Sequence, residues 1–132
     1  MEISIFLAEK NDQMRELLVS LLEDQDGVRI AGTSHDAAET ERLLSGLNPQ
    51  MAIVDVHLEG FDAVAAFRRM CNGSPGTKLV ALSNHANRQF AKKMLRAGAC
   101  GYLLKDCALE ELSAAVQTVN RNQTYISPSI RG

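Results

Sequence analysis

The stretch Met51-Ala-Ile-Val-Asp55-Val-His57-Leu-Glu59-Gly60 decides how the rest of the chain is read. A run of small and branched apolar residues ends abruptly on a carboxylate, with Asn48-Pro49 before it and Gly60 after it. Short apolar runs bounded by turn residues mark strands buried on both faces. An ionised Asp at the last position of such a strand lies at the carboxyl edge of a parallel sheet, where open α/β proteins place their ligands. The alternative is that Asp55 only caps the helix that follows. The segments on either side decide between the two.

Upstream, residues 3–8 form a first apolar strand, followed at once by the polar cluster Glu9-Lys10-Asn11-Asp12. A helix starts at Asn11 or Asp12, either a good N-cap, carries Met14, Leu17, Leu18, Leu21 and Leu22 at helical spacing, and ends near Asp26-Gly27. Residues 28–33 read as a second strand, and residues 36–45 as a second helix with Ala37, Ala38, Thr40, Leu43 and Leu44 inward. Gly46 and Pro49 close that helix.

Downstream, Gly60 and Asp62 open a third helix with Phe61, Val64, Ala65 and Phe67 on its apolar face and Arg68-Arg69 exposed. Asn72-Gly-Ser-Pro-Gly76 is the clearest loop. A fourth strand at residues 78–82 runs into Ser83-Asn84-His85, and a fourth helix spans about residues 87–97, with Phe90, Ala91, Met94 and Leu95 inward and Gly98 as its stop. Residues 100–104 are the fifth strand, ending in Lys105-Asp106, and the last helix covers about residues 109–120, with Leu112, Ala115, Val116 and Val119 inward.

Five strand–helix pairs in strict alternation predict a five-stranded parallel sheet covered by helices on both sides, because parallel neighbours need a crossover. Glu9-Lys10, Asp55, Ser83 and Lys105 then follow the first, third, fourth and fifth strands and share one rim. Acid, hydroxyl and amine meeting on one rim favour a site at Asp55 over capping alone.

The 132 residues suit one domain able to remove about two-thirds of its unfolded surface from water. Apolar residues make up 45% and charged residues 23%, a soluble globular balance. With no run of about eighteen apolar residues and no basic-then-apolar leader, the expected location is cytoplasmic, without membrane contact. A net charge of −2 gives no electrostatic footprint for nucleic acid. Cys71, Cys100 and Cys107 form neither a CxxC nor a Cys/His metal pattern and read as incidental thiols in a reducing compartment.

With these motifs in place, the chain resembles the receiver domain of two-component response regulators over essentially its whole length. The carriers are Asp55 after the third strand, Ser83 after the fourth, and Gly101-Tyr102-Leu-Leu-Lys105-Asp106 at the fifth. Ser83-Asn84-His85 together with Gly98-Ala-Cys-Gly101-Tyr102 looks most like the NarL/FixJ/LuxR-type branch, whose members usually carry a C-terminal helix-turn-helix DNA-binding domain. The resemblance implies a flavodoxin-like (CheY-like) fold with sheet order 2-1-3-4-5 and five helices. It places the receiver at residues 1–122, and residues 123–132 resemble the start of a linker to a DNA-binding domain not in this chain. A receiver is not an enzyme in its own right. Its expected partners are a sensor histidine kinase, a second copy forming a homodimer, and DNA only through the absent domain.

The resemblance also assigns roles. Asp55 is the phosphoacceptor, a nucleophile that takes a phosphoryl group from a phosphohistidine. Mg2+ would be held by Glu9, Asp55 and the backbone carbonyl of His57. Lys105 would pair with phosphoryl oxygen, the Ser83 hydroxyl would hydrogen-bond it, and Tyr102 would rotate inward as the switch aromatic.

One departure bears on all of this. The family places two adjacent acids after the first strand, and this chain has Glu9 followed by Lys10. A Mg2+ ion and an ammonium about 5 Å apart at an effective dielectric near 20 repel by roughly 7 kcal/mol before screening and escape of the stem into water. Two expectations follow: a metal-impaired phosphoreceiver, or, slightly favoured, a phosphorylation-independent module in which Lys10 pairs with Asp55 in place of the metal.

Arg88, Lys92, Lys93 and Arg96 on the fourth helix read as an ordinary solvated face, with partner docking as the functional alternative. His35, His57 and His85 show no ligand spacing and read as loop histidines. A flavodoxin-like enzyme or cofactor carrier is the competing class. The absence of a Gly-rich phosphate loop after the first strand and of any Trp counts against it.

Overall fold

The structure, a computed structural model, describes residues 2–130. The chain alternates β1 (Ile3–Ala8), α1 (Asp12–Glu23), β2 (Val28–Ser34), α2 (Ala37–Leu47), β3 (Met51–Asp55), α3 (Ala63–Gly73), β4 (Lys78–Ser83), α4 (Arg88–Arg96), β5 (Ala99–Leu104) and α5 (Ala108–Asn120), and ends in a short β6 (Tyr125–Ile126). The sheet is parallel throughout, in the order β2-β1-β3-β4-β5-β6.

Period-two alternation along the strands divides the core between two faces. Phe6, Ala8, Ala52, Val54, Leu79, Ala81, Tyr102 and Leu104 point to the face covered by α2, α3 and α4, where they meet Leu44, Phe67, Met70, Ala91 and Met94. Ile5, Leu7, Met51, Ile53, Val80, Leu82 and Leu103 point to the other face and meet Leu18 and Leu22 of α1 and Leu112, Ala115, Val116 and Val119 of α5. With both faces covered, β3 and β4 read as continuous apolar runs.

Side-chain caps set where four helices begin. Asn11, Asp36, Asp62 and Asn87 each accept the backbone N–H three residues on, at 2.8, 2.8, 3.4 and 3.0 Å. They lie in the loops that follow β1, β2, β3 and β4 and fix where each helix begins beyond the rim. Gly98 has φ +114°, and a Cβ there would drive into Cys71 Sγ, so the α4–β5 turn has room only for glycine.

The predicted sheet needs one correction. It has six strands rather than five, because Tyr125–Ile126 pairs with β5 in the register Gly101↔Tyr125 and Tyr102↔Ile126. The segment expected to be linker is therefore docked as far as residue 130, and its final two residues lie outside the described ones. Smaller differences follow from packing. Asn72 and Gly73 finish α3 instead of opening the loop, α1 stops at Glu23, and Leu17 and Ala38 face solvent rather than the core. Both helices satisfy their sheet with a narrower stripe than the sequence offers: Leu18 and Leu22 on α1, and Ala37, Thr40 and Leu44 on α2.

Candidate functional site

Parallel strands all end on one rim, and β1, β3 and β5 deliver Glu9, Asp55 and Lys105 to a single point. Asp55 and Glu9 are both 0% exposed. Lys105 Nζ lies 2.8 Å from Asp55 Oδ2 and 3.0 Å from Glu9 Oε1, bridging the two carboxylates, and its side chain is 11% exposed. Asp55 Oδ1 accepts the His57 N–H at 2.8 Å, and Oδ2 also accepts the Lys10 N–H at 3.2 Å. Glu9 Oε2 accepts the Asn11 N–H at 2.8 Å, while Oε1 is buried without a well-formed hydrogen bond. The Arg15 guanidinium donates to the Glu9 carbonyl at 2.9 Å and anchors the loop to α1.

The two acids are tuned in opposite directions. Burial is the largest influence on Glu9 and, with the Asp55 charge, raises its carboxyl above the ordinary value against the Asn11 N–H and Lys105. Burial also pulls the Asp55 carboxyl upward, but the Lys105 hydrogen bond, the His57 N–H, the Lys105 charge and the Lys10 N–H together outweigh it, so Asp55 sits below its ordinary value. The Lys105 and backbone N–H donors therefore favour the carboxylate form of Asp55. A carboxylate that is held anionic, with fixed donors on both oxygens, is equipped for attack on an electrophilic phosphorus or for a permanent ion pair.

The family described as Response regulator receiver domain matches residues 5–117. The chain belongs to this family. It is 30% identical over 128 residues to response regulator GacA of Pseudomonas syringae pv. syringae (strain B728a), covering 97% of this chain and 60% of that protein. It is also 30% identical over 132 residues to transcriptional regulatory protein MctR of Rhizobium johnstonii, covering 98% and 60%. It thus spans about 60% of the length of these relatives. Among solved structures it is similar to a two-component response regulator of the LuxR family from Aurantimonas sp. SI85-9A1, with a TM-score of 0.92, 26% identity and coverage of 98% and 93%. The isolated receiver domain of RcsB from Salmonella enterica serovar Typhimurium, with a TM-score of 0.90 at 17% identity and coverage of 98% and 96%, shares the fold. Membership also decides against the flavin-carrier alternative, since receivers are signalling modules.

Within this receiver, the expected site residues separate into two groups. Glu9, Asp55, Lys105 and the backbone of His57 converge. Ser83 and Tyr102 form a neighbouring group. Ser83 Oγ accepts the His85 N–H at 2.9 Å, and the Tyr102 hydroxyl donates to the His85 carbonyl at 2.7 Å, with Tyr102 fully buried.

The expected pairing of Lys10 with Asp55 is corrected by the structure. Lys10 is exposed, and its contact with Asp55 is through the backbone N–H; the ammonium that reaches Asp55 belongs to Lys105. The long stem takes the Lys10 charge to water, while Lys105, the first residue after β5, is already aimed at the two acids.

Two features had no signal in residue spacing. His57 Nε2 accepts the Asn84 N–H at 3.0 Å, which ties the Asp55 loop to the loop after β4 and leaves the proton of a neutral ring on Nδ1. Burial holds the His57 imidazole below its ordinary value, consistent with that accepting role. The rings of His57, His85, Phe90 and Tyr102 then follow one another edge to face, with centroids 4.7, 5.6 and 6.1 Å apart. His35 lies with Asp36 and Glu39 on the opposite flank, where Asp36 is engaged as the α2 cap.

Proposed function

We propose that this chain is the receiver of a transcriptional response regulator of the LuxR type, with Asp55 as the phosphoacceptor position and with weak or absent Mg2+-dependent phosphorylation. The observation that carries the second part is the charge balance around Asp55. The Lys105 ammonium already bridges the two buried acids, Glu9 and Asp55, and the next position on the rim is Lys10, so the chain supplies no further acid there to offset a divalent cation. The raised carboxyl of Glu9 weakens its service as a ligand further. The residues present fit Mg2+ poorly, and Asp55 already has a cationic partner. The domain then works as an interaction module whose resting ion pair stands where a metal-dependent site would be.

A conventional receiver is the second reading, favoured by the exposure of Lys10, whose charge sits in water and not on Asp55. There a carboxylate oxygen of Asp55 attacks the phosphorus of a phosphohistidine, the P–N bond breaks, and the imidazole leaves with its electron pair. Ser83, Tyr102 and Lys105 would respond to the new phosphoryl oxygens.

The remaining parts of the reading concern the longer protein: a sensor histidine kinase as donor, DNA contacted through a C-terminal domain, a cytoplasmic setting and a homodimer. Among the described residues no helix is long and apolar enough to cross a membrane. For the homodimer, Leu17 of α1 and Leu109 of α5 are 44% and 47% exposed on helices that pack side by side, which supports the face of the first and fifth helices.

Incubation with acetyl phosphate and Mg2+, followed by intact mass spectrometry, tests the main reading. The expected result is little or no aspartyl phosphate. Rapid, stoichiometric labelling at Asp55 overturns it in favour of the conventional receiver.

A further inference from the structure

Strand β5 is gripped from two sides through one residue. The Tyr102 hydroxyl holds the His85 carbonyl, in the loop that leaves Ser83, at 2.7 Å. The Tyr102 backbone carbonyl accepts the Ser127 N–H at 3.0 Å, and two residues on the Leu104 N–H donates to Ser127 Oγ at 2.9 Å. Ser127 is 1% exposed, and its hydroxyl donates in turn to Glu111 Oε1 of α5 at 2.8 Å. The same carboxylate oxygen accepts the Tyr125 hydroxyl at 2.7 Å. Ile130 packs against the core cluster that contains Tyr102 and Leu104.

A two-residue parallel strand is too short to hold itself by ladder bonds. What fixes this one is side-chain chemistry: Glu111 collects two hydroxyls, and Ser127 both donates and accepts. Such an arrangement is all-or-none, because losing Ser127 from the edge leaves the Leu104 N–H and the Tyr102 carbonyl without their partners. The segment also covers the outer edge of β5, so any strand adding to that edge must displace it.

We propose that residues 125–130 form a strap whose docking on β5 and Glu111 is thermodynamically coupled, through Tyr102, to docking of the loop that follows Ser83. Tyr102 is the shared element: its side chain is set by the loop and its backbone by the strap. Glu111 is the positioning residue that holds the strap down. Coupling of this kind is reciprocal, so loosening either end loosens the other. It stands on the contacts of β5 and needs no phosphoryl group on Asp55, so it holds or fails separately from the function proposed above.

The test uses the full chain and two small truncations. Tyr102→Phe removes only the hydroxyl that holds the His85 carbonyl, away from the strap. The expected result, by amide hydrogen exchange and NMR, is exchange at least about tenfold faster at Leu104 and Ser127, with Ile53 and Val54 of β3 unchanged. Ser127→Ala, in protein labelled with 3-fluorotyrosine, is expected to shift or broaden the Tyr102 fluorine resonance. Unchanged protection at Leu104 and Ser127, or an unmoved Tyr102 resonance, overturns the proposal, because coupling cannot run in one direction. Equal acceleration at Ile53 and Val54 also overturns it, since that is a global loss of stability.

Discussion

Replacing Lys10 by aspartate should convert the rim of this receiver into a divalent-cation site. The Lys10 backbone nitrogen is 3.2 Å from Asp55 Oδ2, and its side chain is exposed, so the substitution changes charge beside the site without disturbing the core. An extended stem puts the ammonium about 8 Å from an ion between Glu9 and Asp55, where at an effective dielectric near 40 it repels a divalent cation by roughly 2 kcal/mol. A carboxylate about 4 Å from the ion attracts it by roughly 4 kcal/mol at the same dielectric. Halving the difference of about 6 kcal/mol for screening and desolvation leaves about 3 kcal/mol, or about 100-fold in affinity. Titration calorimetry with Mg2+ on wild type, Lys10→Ala and Lys10→Asp measures it directly. The expected order is Asp above Ala above Lys, with the Asp and Lys forms about two decades apart. Equal affinity for Lys10→Asp and wild type would refute the charge-balance argument, because Lys10 would then be irrelevant to the site.

Two further outcomes follow from named contacts. The two pocket acids should pull the pH dependence of stability in opposite directions: with its folded value raised, Glu9 binds more protons folded than unfolded as pH rises from its ordinary 4.5, so stability falls across that window. Asp55, with its folded value lowered, loses its contribution as pH drops below its ordinary 3.8. Urea unfolding from pH 3 to 7 should show Glu9→Gln removing the decline above 4.5 and Asp55→Asn removing the acid-side loss; a Glu9→Gln curve parallel to wild type would contradict the assignment. Gly98→Ala should cost about 2–4 kcal/mol in the same assay, from strained backbone at φ +114° and a methyl driven into Cys71. Adding Cys71→Ala should recover the steric part, and a Gly98→Ala cost below about 0.5 kcal/mol would remove that account.

Much of this molecule is written in local pattern. The continuous apolar runs of β3 and β4, the i, i+4 spacing of Leu18 with Leu22 and of Leu112 with Val116, and caps such as Asn11 and Asn87 act within a few residues of themselves, so the order of the first five strands and helices follows from the sequence. Parallel topology then brings Glu9, Asp55, Ser83 and Lys105 to one rim, because strands of one sense end on one side. The stretch ending in Asp55 determines where the site is. Which cation meets that carboxylate was decided by tertiary structure: Lys10 is the nearer to it in the chain, but only Lys105 leaves its strand aimed at the pocket, and Lys10 reaches Asp55 through its backbone. The His57–Asn84 bond and the docking of Tyr125–Ile126 were equally hidden, since one joins two loops and the other is a two-residue strand too short to show a period. Those contacts exist only once distant segments have been packed against each other, and local residue pattern carries no record of them.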